Sequence, residues 1–180
     1  MKKKSFVMVL ALVLVFAVAV GGVVAWLTDK TGSVVNTFTV GDINIELDET
    51  TGNSYKMVPG NTIDKDPKVT VKANSEACYL FVKVEKSTNF DTFMTYTMAD
   101  GWTALDGQNG VYYREVGATT ADTSFEVLKD NQVTVKDTVT KTQLEAVKTA
   151  NQPTLTFTAY AVQKDNINSA ADAWSKIPTP

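Results

Sequence analysis

Glu76-Ala77-Cys78-Tyr79-Leu80-Phe81-Val82-Lys83-Val84-Glu85-Lys86 is the most apolar stretch after the N-terminal leader, and its reading decides the fold class. Cys78, Leu80, Val82 and Val84 alternate onto one face of an extended chain, while Ala77, Tyr79 and Phe81 take the other. A period of two with β-branched and aromatic residues predicts a strand, and apolar cover on both faces at its start predicts a central place in a sheet. Cys78 then reads as a small core hydrophobe. It is the only cysteine, so no intramolecular disulfide can form, and no histidine or sequence-adjacent arginine stands by to activate its thiol.

The same alternation extends outward from this strand. Upstream, Lys68 to Ala73 sets Val69, Val71 and Ala73 inward against outward Lys68, Thr70 and Lys72, and Pro59-Gly60-Asn61 before it reads as a turn. Further upstream the pattern changes phase. Phe38 and Val40 share one parity and Ile43, Ile45 and Leu47 the other, which predicts two strands joined by a bulge or tight turn at Gly41-Asp42. Glu49 to Asn53 reads as a loop.

Downstream, Phe93 to Met98, Gly110 to Val116, Ser124 to Leu128 and Gln132 to Val139 read as short strands. Asp100-Gly101, Asp106-Gly107 and Lys129-Asp130-Asn131 part them as turns. Thr140-Lys141-Thr142-Gln143 matches the S/T-x-x-E/Q capping box, Leu144 and Val147 share a helical face, and Pro153 closes the stretch. Thr154 to Gln163 is a late core strand with Leu155, Phe157, Ala159 and Ala161 inward. Ser169 to Ile177 reads as a short helix docking Ala170, Trp174 and Ile177 at helical spacing. The expected fold is all-β, an antiparallel sandwich or barrel with one or two short peripheral helices.

Composition narrows the function. Histidine is absent from the 180 residues, which excludes Ser-His-Asp, Cys-His and HExxH sites. The net charge of −3 carries a single arginine, Arg114, so neither nucleic acid nor an anionic membrane surface is an expected partner. Asp48-Glu49 and Asp64-Lys65-Asp66 could offer oxygen ligands to calcium but lack the EF-hand spacing, and solvated loop carboxylates are the plainer reading. Tyr79, Tyr112, Tyr113, Trp102 and Trp174 could build a carbohydrate platform, though aromatics in β-sandwiches more often fill the core. No cofactor or metal is expected.

The N-terminus reads as an export element. Lys2, Lys3 and Lys4 precede an uncharged run from Phe6 to Leu27, long enough as a helix to span roughly 33 Å, so a retained anchor is possible on length alone. Val23-Val24-Ala25, after Gly21-Gly22, supplies the small-residue pattern a signal peptidase requires, which places cleavage at Ala25/Trp26. Ala17-Val18-Ala19 fits the same rule but lies inside the apolar run. The expected organisation is a signal peptide over 1–25, an N-terminal segment over 26–40 and a β-sandwich domain over 41–180. A pilin with a retained helix is disfavoured, because the apolar run contains no Glu.

The leader ending near Ala25-Trp26-Leu27-Thr28-Asp29, the segment Asn36-Thr37-Phe38-Thr39-Val40-Gly41 and the Val58-Pro59-Gly60-Asn61 turn carry a resemblance, joined by Val69-Thr70-Val71-Lys72-Ala73-Asn74-Ser75 and Ala159-Tyr160-Ala161-Val162-Gln163. In their order and spacing these motifs resemble the TasA/camelysin family of Gram-positive bacteria across nearly the whole chain. The resemblance implies a jelly-roll β-sandwich, processing by a SipW-type signal peptidase, and assembly into extracellular fibres of a biofilm matrix. It further implies that the new N-terminal segment, with Val34, Val35, Phe38 and Val40, is a donor strand completing the next subunit. Self-association, the peptidase and another fibre or assembly protein are then the expected partners, and the membrane is met only through the uncleaved leader. Camelysin-like members are also classed as metallopeptidases, which the lack of histidine opposes here. The expected product is a secreted structural protein without catalysis; a secreted adhesion or carbohydrate-binding module and a camelysin-type peptidase are the alternatives.

Overall fold

The computed structural model describes residues 42–178, apart from 53 and 149. Along them run β1 (Ile45–Asp48), β2 (Thr62–Asp64), β3 (Lys68–Val71), β4 (Cys78–Lys86), α1 (Phe90–Phe93), β5 (Met94–Met98) and β6 (Thr103–Ala104). There follow β7 (Val111–Val116), β8 (Thr123–Glu126), β9 (Leu128–Val135), α2 (Lys141–Ala146), β10 (Leu155–Gln163) and α3 (Ala170–Trp174). Every described strand pair is antiparallel, in sheets ordered β1-β3-β8, β2-β9-β5 and β10-β4-β7-β6. The protein is all-β with a few short helices, as the alternation predicts.

The first two sheets continue one another. β2 leads into β3 through Lys65-Asp66-Pro67, and β8 into β9 through the fully buried Val127. Val127 N donates to Pro67 O (3.0 Å) and Lys65 N to Asn131 O (2.7 Å), so the ladder is bridged across the break. Between Lys68↔Glu126 and Asp64↔Gln132 the β8–β9 side carries two more residues than its partner. Asp130 and Asn131 absorb them at φ 56° and 54°. Lys129-Asp130-Asn131, expected as a turn between two strands, therefore lies inside β9 as a bulge. Asp and Asn tolerate left-handed backbone, and this serves a bulge as well as a turn.

The β4 alternation holds on both faces. Cys78, Leu80 and Val82, all 0% exposed, meet Val69 and Val71 of β3, with Ile45, Leu47, Phe157, Ala159 and Ala161 packed around them. This is the core between the two layers, and β4 sits centrally between β10 and β7. On the opposite face Tyr79 and Phe81 pack with Leu105, Val111, Ala170 and Ala173 beneath α3. Trp174 lies 5.3 Å from Phe81 and edge-on to Tyr160 at 5.5 Å, so the C-terminal helix is clamped by aromatic contact. A third cluster forms where α1 and α2 cover β5 and β9, with Phe90, Leu128 and Val135 at 0% exposure.

The helices follow their local signals with one addition. Thr140 caps α2 as expected: Gln143 N donates to Thr140 Oγ1 (3.3 Å) and Thr140 N to Gln143 Oε1 (2.8 Å). Ser169 Oγ accepts from Asp172 N (3.1 Å) at the start of α3. The strand expected from Phe93 begins instead at Met94, because Phe90 and Phe93 make a single helical turn that buries both rings.

Candidate functional site

Strand pairing fixes which way each main-chain group of an edge strand points. Just beyond the two ends of the β10–β4 ladder, Ser87 N donates to Thr154 O (3.0 Å) and Lys164 N to Ala77 O (2.8 Å). The even-numbered residues of β10 therefore bond to β4, and Leu155, Phe157, Ala159, Ala161 and Gln163 turn N–H and C=O the other way. No described strand pairs with that side. Leu155, Phe157, Ala159 and Ala161 meanwhile point their side chains into the core, so this edge is apolar beneath and polar along its rim. Over nine residues it contains no proline and no register shift.

β1 repeats the geometry on a smaller scale. Lys72 N donates to Asn44 O (2.9 Å), so Glu46 and Asp48 bond to β3, and Ile45 and Leu47 turn their N–H and C=O away from it while their side chains stay in the core. β1 approaches β10 across the sandwich, which brings both free edges to one flank. The other described edges are short or covered: β6 has two residues, β2 has three, and β5 shifts register between Tyr96 and Met98. At β8, the outward carbonyl of Glu126 accepts from Trp102 Nε1 (2.8 Å).

Where β10 begins, a cleft of about 980 Å³ opens beside this flank. Met57, Ile63, Phe90, Met94, Leu144 and Leu155 are among the apolar residues that line it. Lys65 reaches into it, ion-paired with Glu49 and with Nζ 5.4 Å from the Tyr55 ring centroid and 5.7 Å from that of Phe157. Asp66 holds the adjoining loop by accepting from the hydroxyl of Thr50 and from the backbone N–H of Thr50 (2.9 Å) and Thr51 (3.0 Å). These bonds, that from the Thr50 hydroxyl foremost, hold the Asp66 carboxyl well below the usual range. Glu49 also accepts from Tyr55 Oη (3.0 Å), so two of the four acids considered as calcium ligands, Glu49 and Asp66, serve as loop fasteners. Among the described residues no cluster of three or more His, Cys, Asp or Glu is placed to hold a metal.

Cys78 is 0% exposed and burial pushes its thiol up to about 11, which suits a packing residue. The five aromatics do not form one platform. Tyr79, Tyr113 and Trp174 belong to the face under α3, while Tyr112 and Trp102 belong to the core between the layers. Val23, Ala25 and Trp26, and the donor-strand residues Val34, Val35, Phe38 and Val40, lie outside the described residues.

Arg114 has a role that sequence reasoning did not assign. Its guanidinium stacks 4.0 Å from the Phe125 ring centroid and 5.2 Å from that of Trp102, and desolvation lowers its pKa. Gly101 sits at φ 87°, a backbone that favours glycine, and its lack of a Cβ leaves room for Nη2, which a Cβ would approach to 2.6 Å. Alternation groups Arg114 with Tyr112 and Val116 on one face of β7 but does not name its partners, which come from β8 and the β5–β6 turn. No family model, curated protein or solved structure matches this chain. The open flank and its cleft are the features left to carry a functional reading.

Proposed function

We propose that this chain is a secreted structural subunit that polymerises into extracellular fibres of a bacterial biofilm matrix. The segment 26–40 of one copy adds as a strand to the β10 edge of the next. The supporting observation is the row of outward main-chain groups from Leu155 to Gln163, which no described strand occupies. An unpaired sheet edge is a template for strand addition, in which main-chain bonds supply affinity and alternate side chains fill pockets. Each such bond contributes about 0.5–1.5 kcal/mol net. The apolar lining of the cleft adds burial at about 25 cal/mol per Å².

On this reading the sandwich is a jelly roll, and Met1 to Ala25 is an export helix removed by a SipW-type signal peptidase at Ala25/Trp26. Cleavage frees the segment that carries Val34, Val35, Phe38 and Val40, so polymerisation begins only after export. The partners are further copies of the chain and another fibre or assembly protein, and no catalytic step is involved. Electron microscopy of purified 26–180 should show filaments. Deleting residues 26–33 together with Phe38→Asp should leave a folded, soluble monomer. Normal polymerisation of that variant, or its unfolding, would contradict strand donation and return the segment to its own core.

A further inference from the structure

We propose that Asn109-Gly110, in the turn between β6 and β7, is a site of spontaneous deamidation built into the fold. It is the only Asn-Gly pair in the sequence. The turn closes through Val111 N donating to Gln108 O (3.3 Å), which puts Asn109 second and Gly110 third. Gly110 has φ 75°, as the third position of a type II turn demands. A second constraint is steric: a Cβ at position 110 would lie 2.5 Å from Val84 O. Only glycine satisfies both, so the fold itself imposes the unhindered neighbour that leaves Asn109 vulnerable.

The local bonding leaves the reacting groups free. Asn109 is exposed, and among the described residues neither its carboxamide nor the Gly110 N–H makes a hydrogen bond. The Gly110 nitrogen attacks Asn109 Cγ. The Cγ–Nδ2 bond breaks, the displaced nitrogen takes the amide proton and leaves as ammonia, and a five-membered succinimide remains. Water then opens the ring at one of two carbonyls. Attack at Cγ leaves aspartate in a normal chain, and attack at the main-chain carbon leaves a β-linked isoaspartate. No oxidant or reductant is needed, and water is the only co-reactant.

Either product adds one negative charge close to Asp106, and the isoaspartate also lengthens the backbone by one carbon. The extra carbon falls between Gln108 and Val111 and next to the Val84 N to Gly110 O bond (2.7 Å), so those bonds cannot all keep their geometry. The effect passes to Leu105, whose N–H bonds to Val111 O (2.9 Å) and whose buried side chain anchors β6. The change accumulates with the age of each molecule at the β6 end of the sheet, whether or not the chain forms fibres.

The test is peptide mapping by mass spectrometry of the full chain held in mildly alkaline buffer, with a urea-unfolded sample alongside. The native chain should gain the mass of an amide-to-acid change at Asn109, as two chromatographic products, one of them labelled by an isoaspartyl methyltransferase. Asn131 should keep its amide over the same interval, and Asn109→Gln should abolish the conversion without unfolding the protein. Conversion in urea with none in the native chain would show that the turn protects Asn109 and would overturn the proposal. Equal loss at Asn131 would overturn it as well.

Discussion

The sheet β10-β4-β7-β6 ends in two edges built on opposite principles. At one end β6 has two residues, its turn is pinned by Leu105 and Gly110, and the neighbouring Arg114 stack ties β7 to β8. At the other end β10 runs nine residues without proline or register shift, and its outward N–H and C=O groups are open among the described residues. Natural sheets blunt their edges with short strands, bulges or covering side chains, and the β6, β5 and β8 edges show all three. Among the described residues β10 is the longest edge without such a device, and on the proposed reading it is the edge that receives the next strand.

The largest effect should come from the strand on which both edges depend. Phe81 of β4 is 0% exposed and touches Tyr79, Tyr113 and Trp174, so Phe81→Ala should cost about 3–5 kcal/mol in urea unfolding. Loss of cooperativity at both ends of the sheet should accompany it. A smaller change separates the two sides of β10. Thr158 bonds to β4 opposite Lys83, so Thr158→Pro removes a ladder donor and should cost at least about 1–3 kcal/mol.

A third expectation concerns pH and the core that lies between the edges. Burial lifts the Cys78 thiol from its ordinary 9.0 to about 11. The folded chain keeps the proton where the unfolded chain has lost it, so stability is retained below about pH 9 and falls as pH climbs towards 11. A shift of that size corresponds to about 2–3 kcal/mol. Cys78→Ala should lack this fall when the two proteins are compared by denaturant melts across the same range, and native Cys78 should resist thiol labelling.

The smallest effect on stability should carry the largest effect on assembly. The N–H of Ala159 points away from β4, so Ala159→Pro removes no ladder bond and is tolerated as proline is on edge strands, at a cost within about 1 kcal/mol. The ring blocks an incoming strand, and light scattering should show elongation lost while the monomer melts almost as before. Elongation at the normal rate would mean that another edge receives the strand.

Much of this fold was legible in the sequence because two-residue periodicity is written directly in the side chains. Cys78-Leu80-Val82-Val84 and Leu155-Phe157-Ala159-Ala161 both face the core as their alternation requires. Thr140 and Gln143 likewise announced the capped α2. β2 and β6 were missed because three and two residues are too few to display a period. β9 was divided in two because Lys129-Asp130-Asn131 has the composition of a turn, and only pairing with Asp64 and Lys68 reveals a bulge. The candidate site was less legible for a deeper reason. Side-chain pattern says which residues of β10 face the core, but which flank β4 occupies, and so which N–H groups are left open, depends on the tertiary fold, and no local signal encodes that.

Hydrogen exchange resolved by residue on a chain of residues 26–180, first as monomer and then as fibre, tests the proposed strand addition at β10 most directly. In the monomer the amides of Thr156, Thr158 and Tyr160 should be protected by β4, and those of Phe157, Ala159 and Ala161 should exchange fast. In the fibre both sets should be protected. Phe157, Ala159 and Ala161 already slow in the monomer, or still fast in the fibre, would show that β10 is not the edge that receives the next subunit.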